Sequence, residues 1–343
     1  MVANLIIILS LSSLVLPWKN QKITFERFMD FCLYDPGQGY YTTQETIFGP
    51  QGDYYTSPST HPLFAHSLVS AFVHYFELLA RPRPFHLVEL GVGEGFLGRD
   101  ILGRLKDGYP ELFDRVEYFP VEVGVDLPER IQGIVFSNEL FDALPVHRVR
   151  VRGSEVREIY VSVGDEISEV EGEITDPRIL EYMTTGFKEW REGWEYEVNL
   201  RMVEMLKDLD RRIDSGVVLT VDYGYDWGEY DSRDRPHGTL LCYHRHEVIS
   251  DPYLNLGRQD ITSHVNFEVM EQTGSQLGWK SEPLKTQRRF LLDWGLEERL
   301  MEEEAQGLLN SERMEERLGL KTLLAPGGIS DTMKVLVQHV RNF

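Results

Sequence analysis

The ten residues Asn138-Glu139-Leu140-Phe141-Asp142-Ala143-Leu144-Pro145-Val146-His147 hold the side chains best suited to chemistry in this 343-residue chain. Asn138 can accept a hydrogen bond from an amine or guanidinium nitrogen, and Phe141 can lie against a planar cation. Glu139 and Asp142 are three residues apart and face the same side if the chain turns helically there. Such a pair would grip a guanidinium bidentately. In the alternative reading, Asp142 caps the turn and Glu139 alone faces a ligand. His147 is a candidate proton acceptor or, equally, a histidine held structurally within a strand.

A second stretch, Leu87-Val88-Glu89-Leu90-Gly91-Val92-Gly93-Glu94-Gly95, reads as a buried strand running into a glycine-rich turn and a helix. Gly91, Gly93 and Gly95 let the backbone take positive φ and come close to a ligand. A dinucleotide fingerprint would need its last glycine at position 96, where the chain has Phe96. Glu89, just before the first glycine, suits a ligand with a positive end, such as the amino-acid part of S-adenosylmethionine. Glu122, at the tip of a second strand read from Tyr118 to Val123, can accept hydrogen bonds from both hydroxyls of a ribose.

The elements that must position these groups alternate between strand and helix. Strands are expected at 85–90, 118–123, 133–140, 217–223, 239–243 and 333–340, with a β-hairpin or meander over 146–175. Helices are expected near 23–33, 61–79, 97–105, 177–191, 195–214, 265–277 and 297–317. Buried strands alternating with helices indicate a mostly parallel sheet wrapped by helices. Ligands then bind beyond the carboxyl ends of the strands, where 138–147 lies. The loops Tyr34–Tyr41 and Gly52–Pro58 come before any core strand and make Tyr41, Asp53, Thr56 and Ser57 substrate-side candidates. Tyr223, in Asp222-Tyr223-Gly224 at a strand end, joins them. The acids between Glu155 and Glu173 read as a solvated face.

A formal net charge of −21 argues against a general nucleic-acid binder. Two cysteines, Cys32 and Cys242, build neither a disulfide framework nor a zinc site, and no histidine spacing points to a metal. Val2 to Leu16 is apolar but shorter than the roughly 20 residues a membrane span needs. It also lacks a basic flank, and is expected to be a helix buried against the domain, with a targeting or membrane-surface segment as the alternative reading.

Several stretches taken together resemble one family, the MidA-like proteins, which include a mitochondrial complex I assembly factor called an arginine methyltransferase. They are I-T-F-E-R-F-M-D-F-C-L-Y-D-P-G-Q-G-Y-Y, G-D-Y-Y-T-S-P, V-E-L-G-V-G-E-G-F-L-G-R-D-I-L, N-E-L-F-D-A-L-P-V-H, D-Y-G and Q-D-I-T-S-H-V, in the family's order from Ile23 to Val265. The resemblance implies an α/β fold: a Rossmann-like class I methyltransferase sheet with added N-terminal, inserted and C-terminal helical and β elements. N-terminal helices and substrate-side loops would occupy 1–80, the methyltransferase core with its insert 81–245, and C-terminal helices with the closing strand 246–343. The implied cofactor is S-adenosyl-L-methionine, held by Glu89, Gly91, Gly93, Gly95 and Glu122. The implied partner is a protein substrate presenting arginine, with Glu139, Asn138 and Asp142 catalytic; no nucleic acid or metal is expected, and a homodimer is left open. The setting would be the cytoplasm in a bacterium or the mitochondrial matrix in a eukaryote. Competing readings are a small-molecule N-methyltransferase, a non-catalytic S-adenosylmethionine-binding assembly factor, and a nicotinamide-dependent dehydrogenase, which Phe96 disfavours.

The chain departs from the family at one place. A longer segment with a further strand is expected between the strand tip at Glu122 and Asn138, where this chain has only about fifteen residues. Val123-Gly124-Val125 reads as a join: either the protein has lost that segment or the segment has been left out of the sequence, and the second is favoured because losing a sheet strand would open the core. The adenine contacts expected from it therefore have no residues assigned.

Overall fold

The computed structural model describes residues 16–43, 63–232, 235–245, 247–298, 301, 325 and 327–341. The first fifteen residues, most of the acidic stretch at 297–317, and Asp53, Thr56 and Ser57 lie outside them.

The central sheet runs β3 (Val116–Val121), β2 (Phe85–Leu90), β4 (Ile131–Asn138), β9 (Ile213–Tyr225), β16 (Met333–Val340). The first four strands are parallel and β16 is antiparallel to β9. Short strands extend it: β13 (Val265–Asn266) on β9, and β14 (Lys280–Ser281) and β15 (Lys285–Thr286) on β16. Its side chains alternate between two apolar layers. Leu87, Ile134, Phe136, Leu219 and Val221 pack on one face with Leu97, Ile101 and Leu105 of the helix Phe96–Gly108. Val88, Val135 and Val218 pack on the other with Met202, Leu206 and Leu209 of the helix Leu200–Arg212. Both faces are covered, which is why these strands read as nearly unbroken apolar runs.

A second, antiparallel sheet runs β1 (Gln21–Thr24), β6 (Glu155–Val163), β5 (His147–Arg152) and β8 (Glu195–Val198), with β7 (Ile167–Gly172) on β6. Residues 195–198 are thus a strand, not the start of the helix expected over 195–214. All four are buried, and Asn199 caps the helix by accepting the N–H of Met202 at 2.9 Å. The acids over 155–173 are likewise not simply a solvated face. Glu158 is buried, accepting from Thr175 N at 2.6 Å and pairing with His147 Nδ1 at 2.7 Å. Glu171 pairs with Arg150 and Arg152. A third sheet, β11 (Glu247–Ile249), β10 (Leu241–His244), β12 (Asp260–Thr262), faces the N-terminal helix α1 (Phe25–Tyr34), which Thr24 caps. Cys32, Cys242 and Ile261 meet in the core between them.

Beyond β3 no further strand is found among the described residues, and β3 is the edge. Residues 122–130 return the chain past β2 to β4 without a helix, whereas parallel crossovers ordinarily use a dozen or more residues. None of the six β3 residues is fully buried. Phe85 N donates to Arg115 O and Gly91 N to Val121 O, so alternate β3 residues, Pro120 among them, turn their backbone outward. Proline has no N–H to leave unpaired on such an edge.

Candidate active site

The glycine turn sits at the carboxyl end of β2. Gly91, Gly93 and Gly95 have φ of 70°, 53° and 73°, a region that side chains with a Cβ rarely adopt. A Cβ on Gly91 would also come within 3.0 Å of Leu140 Cδ1, so the turn is fitted against the 138–147 stretch one strand away. Glu122, just past β3, accepts the N–H of Gly93 at 2.5 Å and so lies across the mouth of the turn. Glu89 is only 3% exposed. Its Oε2 accepts the Tyr118 hydroxyl at 2.5 Å, and burial pushes its carboxyl up to about 7, with that hydrogen bond opposing and Glu122 adding to the rise.

One strand over, the chain leaves β4 in a turn that is not helical. Glu139 has φ of +53°, and its N–H donates to Val221 O at 2.9 Å. The expected helical side shared by Glu139 and Asp142 is therefore absent; another device brings acids together. Asp222, buried at the end of β9, accepts the N–H groups of Leu140 (3.1 Å), Phe141 (2.8 Å) and Tyr223 (2.8 Å). Asp142 is also buried, accepts from Ala143 N, and gives its own carbonyl to Ser263 N at 2.9 Å. Asp260 on β12 completes the cluster. Burial first, then Asp222, Glu139 and Asp260, hold the Asp142 carboxyl well above the usual range. Burial and Glu139 push that of Asp222 up to about 8, against its three N–H donors. Asn138 donates from Nδ2 to Glu139 Oε1 at 3.0 Å, while its buried Oδ1 has no hydrogen-bond partner among the described residues.

Tyrosines wall this cluster. Tyr41 donates its hydroxyl to Asp260 at 2.8 Å and stacks on Tyr34, whose hydroxyl donates to Ala143 O at 3.0 Å. The carboxyl groups of Glu139 and Asp142 act electrostatically on the hydroxyls of both Tyr223 and Tyr243. Two of the proposed residues sit elsewhere. Phe141 is 1% exposed within the core, so its ring is spent on packing and is closed to a substrate cation. His147 opens β5 and pairs with Glu158, at the edge of a groove of about 910 Å³ that also borders Arg178, Arg201 and Lys207. Residue spacing did not single out Asp222, Asp260, Tyr34, Tyr243 or Tyr118. The first two do lie in the D-Y-G and Q-D-I-T-S-H-V stretches, the only sequence signal that marked them.

A family model for S-adenosyl-L-methionine-dependent methyltransferases matches residues 67–132 and 125–284. The chain belongs to this methyltransferase family. The two matched stretches overlap at 125–132, where the chain passes from β3 to β4. This methyltransferase is 25% identical over 326 residues to the human mitochondrial protein arginine methyltransferase NDUFAF7, covering 81% of this chain and 71% of that one. It is 25% identical over 304 residues to the Drosophila melanogaster homologue, with 75% and 67% covered. Among solved structures it is similar to a superfamily protein from Burkholderia thailandensis described as a methyl transferase and bound to S-adenosylhomocysteine. There the TM-score is 0.79 and the identity 26%, over 94% of this chain and 89% of the other. S-adenosylmethionine is the cofactor of this methyltransferase, and the fold is that of a Rossmann-like class I methyltransferase. Among the described residues no helix is long and apolar enough to cross a membrane.

The residues present fit that cofactor. The bare, positive-φ glycine turn admits a ligand against its backbone, and Glu122 is an acceptor at the tip of the neighbouring strand. Gly91, Gly93 and Gly95 would hold the amino-acid end with Glu89, and Glu122 the ribose.

Proposed function

We propose that this methyltransferase acts on arginine in a protein substrate. The observation that carries the reading is the set of acids at the ends of β4 and β9, joined by Asp260 and walled by tyrosines. Buried carboxyls with raised pKa are destabilised as anions, and a guanidinium placed among them offsets that cost. The naming of the human and fly relatives as protein arginine methyltransferases supports the reading.

The bound cofactor supplies an electrophilic methyl group on a sulfonium. A guanidinium stays protonated in proteins, so its nitrogen lone pair is poorly available. Glu139 and Asp142 would draw the positive charge toward two of the nitrogens and leave the third to attack the methyl carbon as its bond to sulfur breaks; one of these carboxylates would take the N–H proton that the methylated nitrogen sheds. Asn138 Oδ1 would accept an N–H of the nitrogen being methylated. Because direct displacement requires the nucleophile in line, most of the contribution of these residues is position and field. The substrate would enter beside Tyr41, in a bacterial cytoplasm or a mitochondrial matrix.

Incubation with methyl-labelled S-adenosylmethionine and a native lysate, followed by acid hydrolysis of the protein fraction, tests this. Label recovered as methylarginine is expected, and Glu139→Gln should abolish it while keeping cofactor binding. Label in methyllysine, or in small molecules alone, would overturn the reading.

A further inference from the structure

We propose that Tyr118 is a positioning residue for the cofactor: its hydroxyl fixes the Glu89 carboxylate so that this group receives the ammonium end of S-adenosylmethionine. The inference rests on the assignment of Glu89 to that ammonium.

Three elements converge on one oxygen. Tyr118 stands on β3 opposite Leu87 of β2, and its hydroxyl meets Glu89 Oε2 at 2.5 Å. The third element is the helix Phe96–Gly108, whose first turn carries Gly98. A Cβ built there would fall 2.1 Å from the Tyr118 oxygen and 2.5 Å from Glu89 Oε2. Glycine is a poor helix residue, disfavoured by about 1 kcal/mol against alanine, yet here the helix forgoes a side chain where the Tyr118–Glu89 contact lies. Packing does not account for the hydroxyl, since the Tyr118 ring borders the apolar layer where a phenylalanine ring would pack as well.

The chemistry follows from the burial of Glu89. A carboxyl so removed from water resists ionising, and a donor to one of its oxygens stabilises the anion. With Oε2 held by the hydroxyl, the carboxylate keeps one orientation two residues before Gly91. Only an anion in that orientation attracts an ammonium group. The donor therefore acts on the cofactor through Glu89 and not by touching it. A merely structural tie between β3 and β2 would affect every cofactor-like ligand alike.

Isothermal titration of the full chain with two ligands separates these roles: S-adenosylhomocysteine, which carries the ammonium, and 5′-methylthioadenosine, which lacks the amino-acid part. Tyr118→Phe should weaken S-adenosylhomocysteine by about tenfold, the order of one charge-assisted hydrogen bond, and leave methylthioadenosine within about twofold. In turnover, KM for S-adenosylmethionine should rise with kcat unchanged. Glu89→Gln should weaken S-adenosylhomocysteine too, and adding Tyr118→Phe to it should cost nothing more. Gly98→Ala crowds the same oxygens, and should separate the two ligands in the same way if Tyr118→Phe is too unstable to titrate. Equal weakening of both ligands, or no weakening of S-adenosylhomocysteine, would overturn the role of Tyr118. Unchanged binding in Glu89→Gln would instead overturn the assignment of Glu89.

Discussion

Asp222 accepts the backbone N–H of Phe141 at 2.8 Å from a neighbouring strand, and so holds the turn that follows β4 in place. The same carboxylate takes the N–H of Leu140 and of its own neighbour Tyr223. The turn that presents Glu139 is thus shaped by an acid more than eighty residues later in the chain.

Asp222→Ala should therefore destabilise the protein by about 1–3 kcal/mol, because it strands buried donors. Asp222→Asn keeps one acceptor oxygen and should cost less. Urea unfolding measures both; equal stability of all three proteins would show that the turn holds its shape without the carboxylate.

The raised carboxyl of Asp222 also has a pH signature. Between the ordinary aspartate range and about 8, the folded protein binds a proton here that the unfolded chain has released. Stability must then fall as pH rises through that window. Unfolding midpoints from pH 5 to 8.5 should decline in the native protein and decline less in Asp222→Asn. Parallel curves would place the proton elsewhere.

Glu139 keeps a left-handed backbone that glycine adopts without strain. Glu139→Gly should raise stability by about 1 kcal/mol or less while abolishing methyl transfer, the pattern of strain retained for function. Thermal unfolding and a methylation assay on the same preparation decide this. A variant that is both less stable and active would contradict it.

Asp260 and Tyr41 come to the acid cluster from β12 and from just beyond α1. Asp260→Asn should raise KM for an arginine peptide about tenfold or more, as expected when an ion pair to substrate is lost. Tyr41→Phe, which removes the hydrogen bond to Asp260, should act in the same direction and less. A change in KM for S-adenosylmethionine instead would assign both residues to the cofactor side.

Crowding at Gly98 gives a stability cycle. Gly98→Ala should cost about 1–3 kcal/mol through overpacking. Tyr118→Phe removes the oxygen that a new Cβ would meet at 2.1 Å, so the double variant should lose less than the sum of the two single changes. Simple additivity, read by urea unfolding, would mean that the clash is relieved some other way.

Much of this protein was already determined by its sequence. The apolar run Phe85–Leu90 with its glycines, and the closing strand Met333–Val340, were legible because periodicity and positive-φ glycines are local properties. The order of the motifs likewise pointed to the methyltransferase family. Local rules failed where distant contacts decide the backbone. Residues 195–198 carry the pattern of the following helix, but they pair with β5 and bury all four side chains as a strand. Glu139 and Asp142 look like one face of a helical turn, yet hydrogen bonds donated to Asp222 and to Val221 O force another shape. Phe141 looked free to meet a cation until the core claimed its ring. The hold of Asp222 on the turn after β4, and that of Tyr118 on Glu89, join residues far apart in the chain but one strand apart in space. Spacing along a chain carries no record of such contacts; only the pairing of strands creates them.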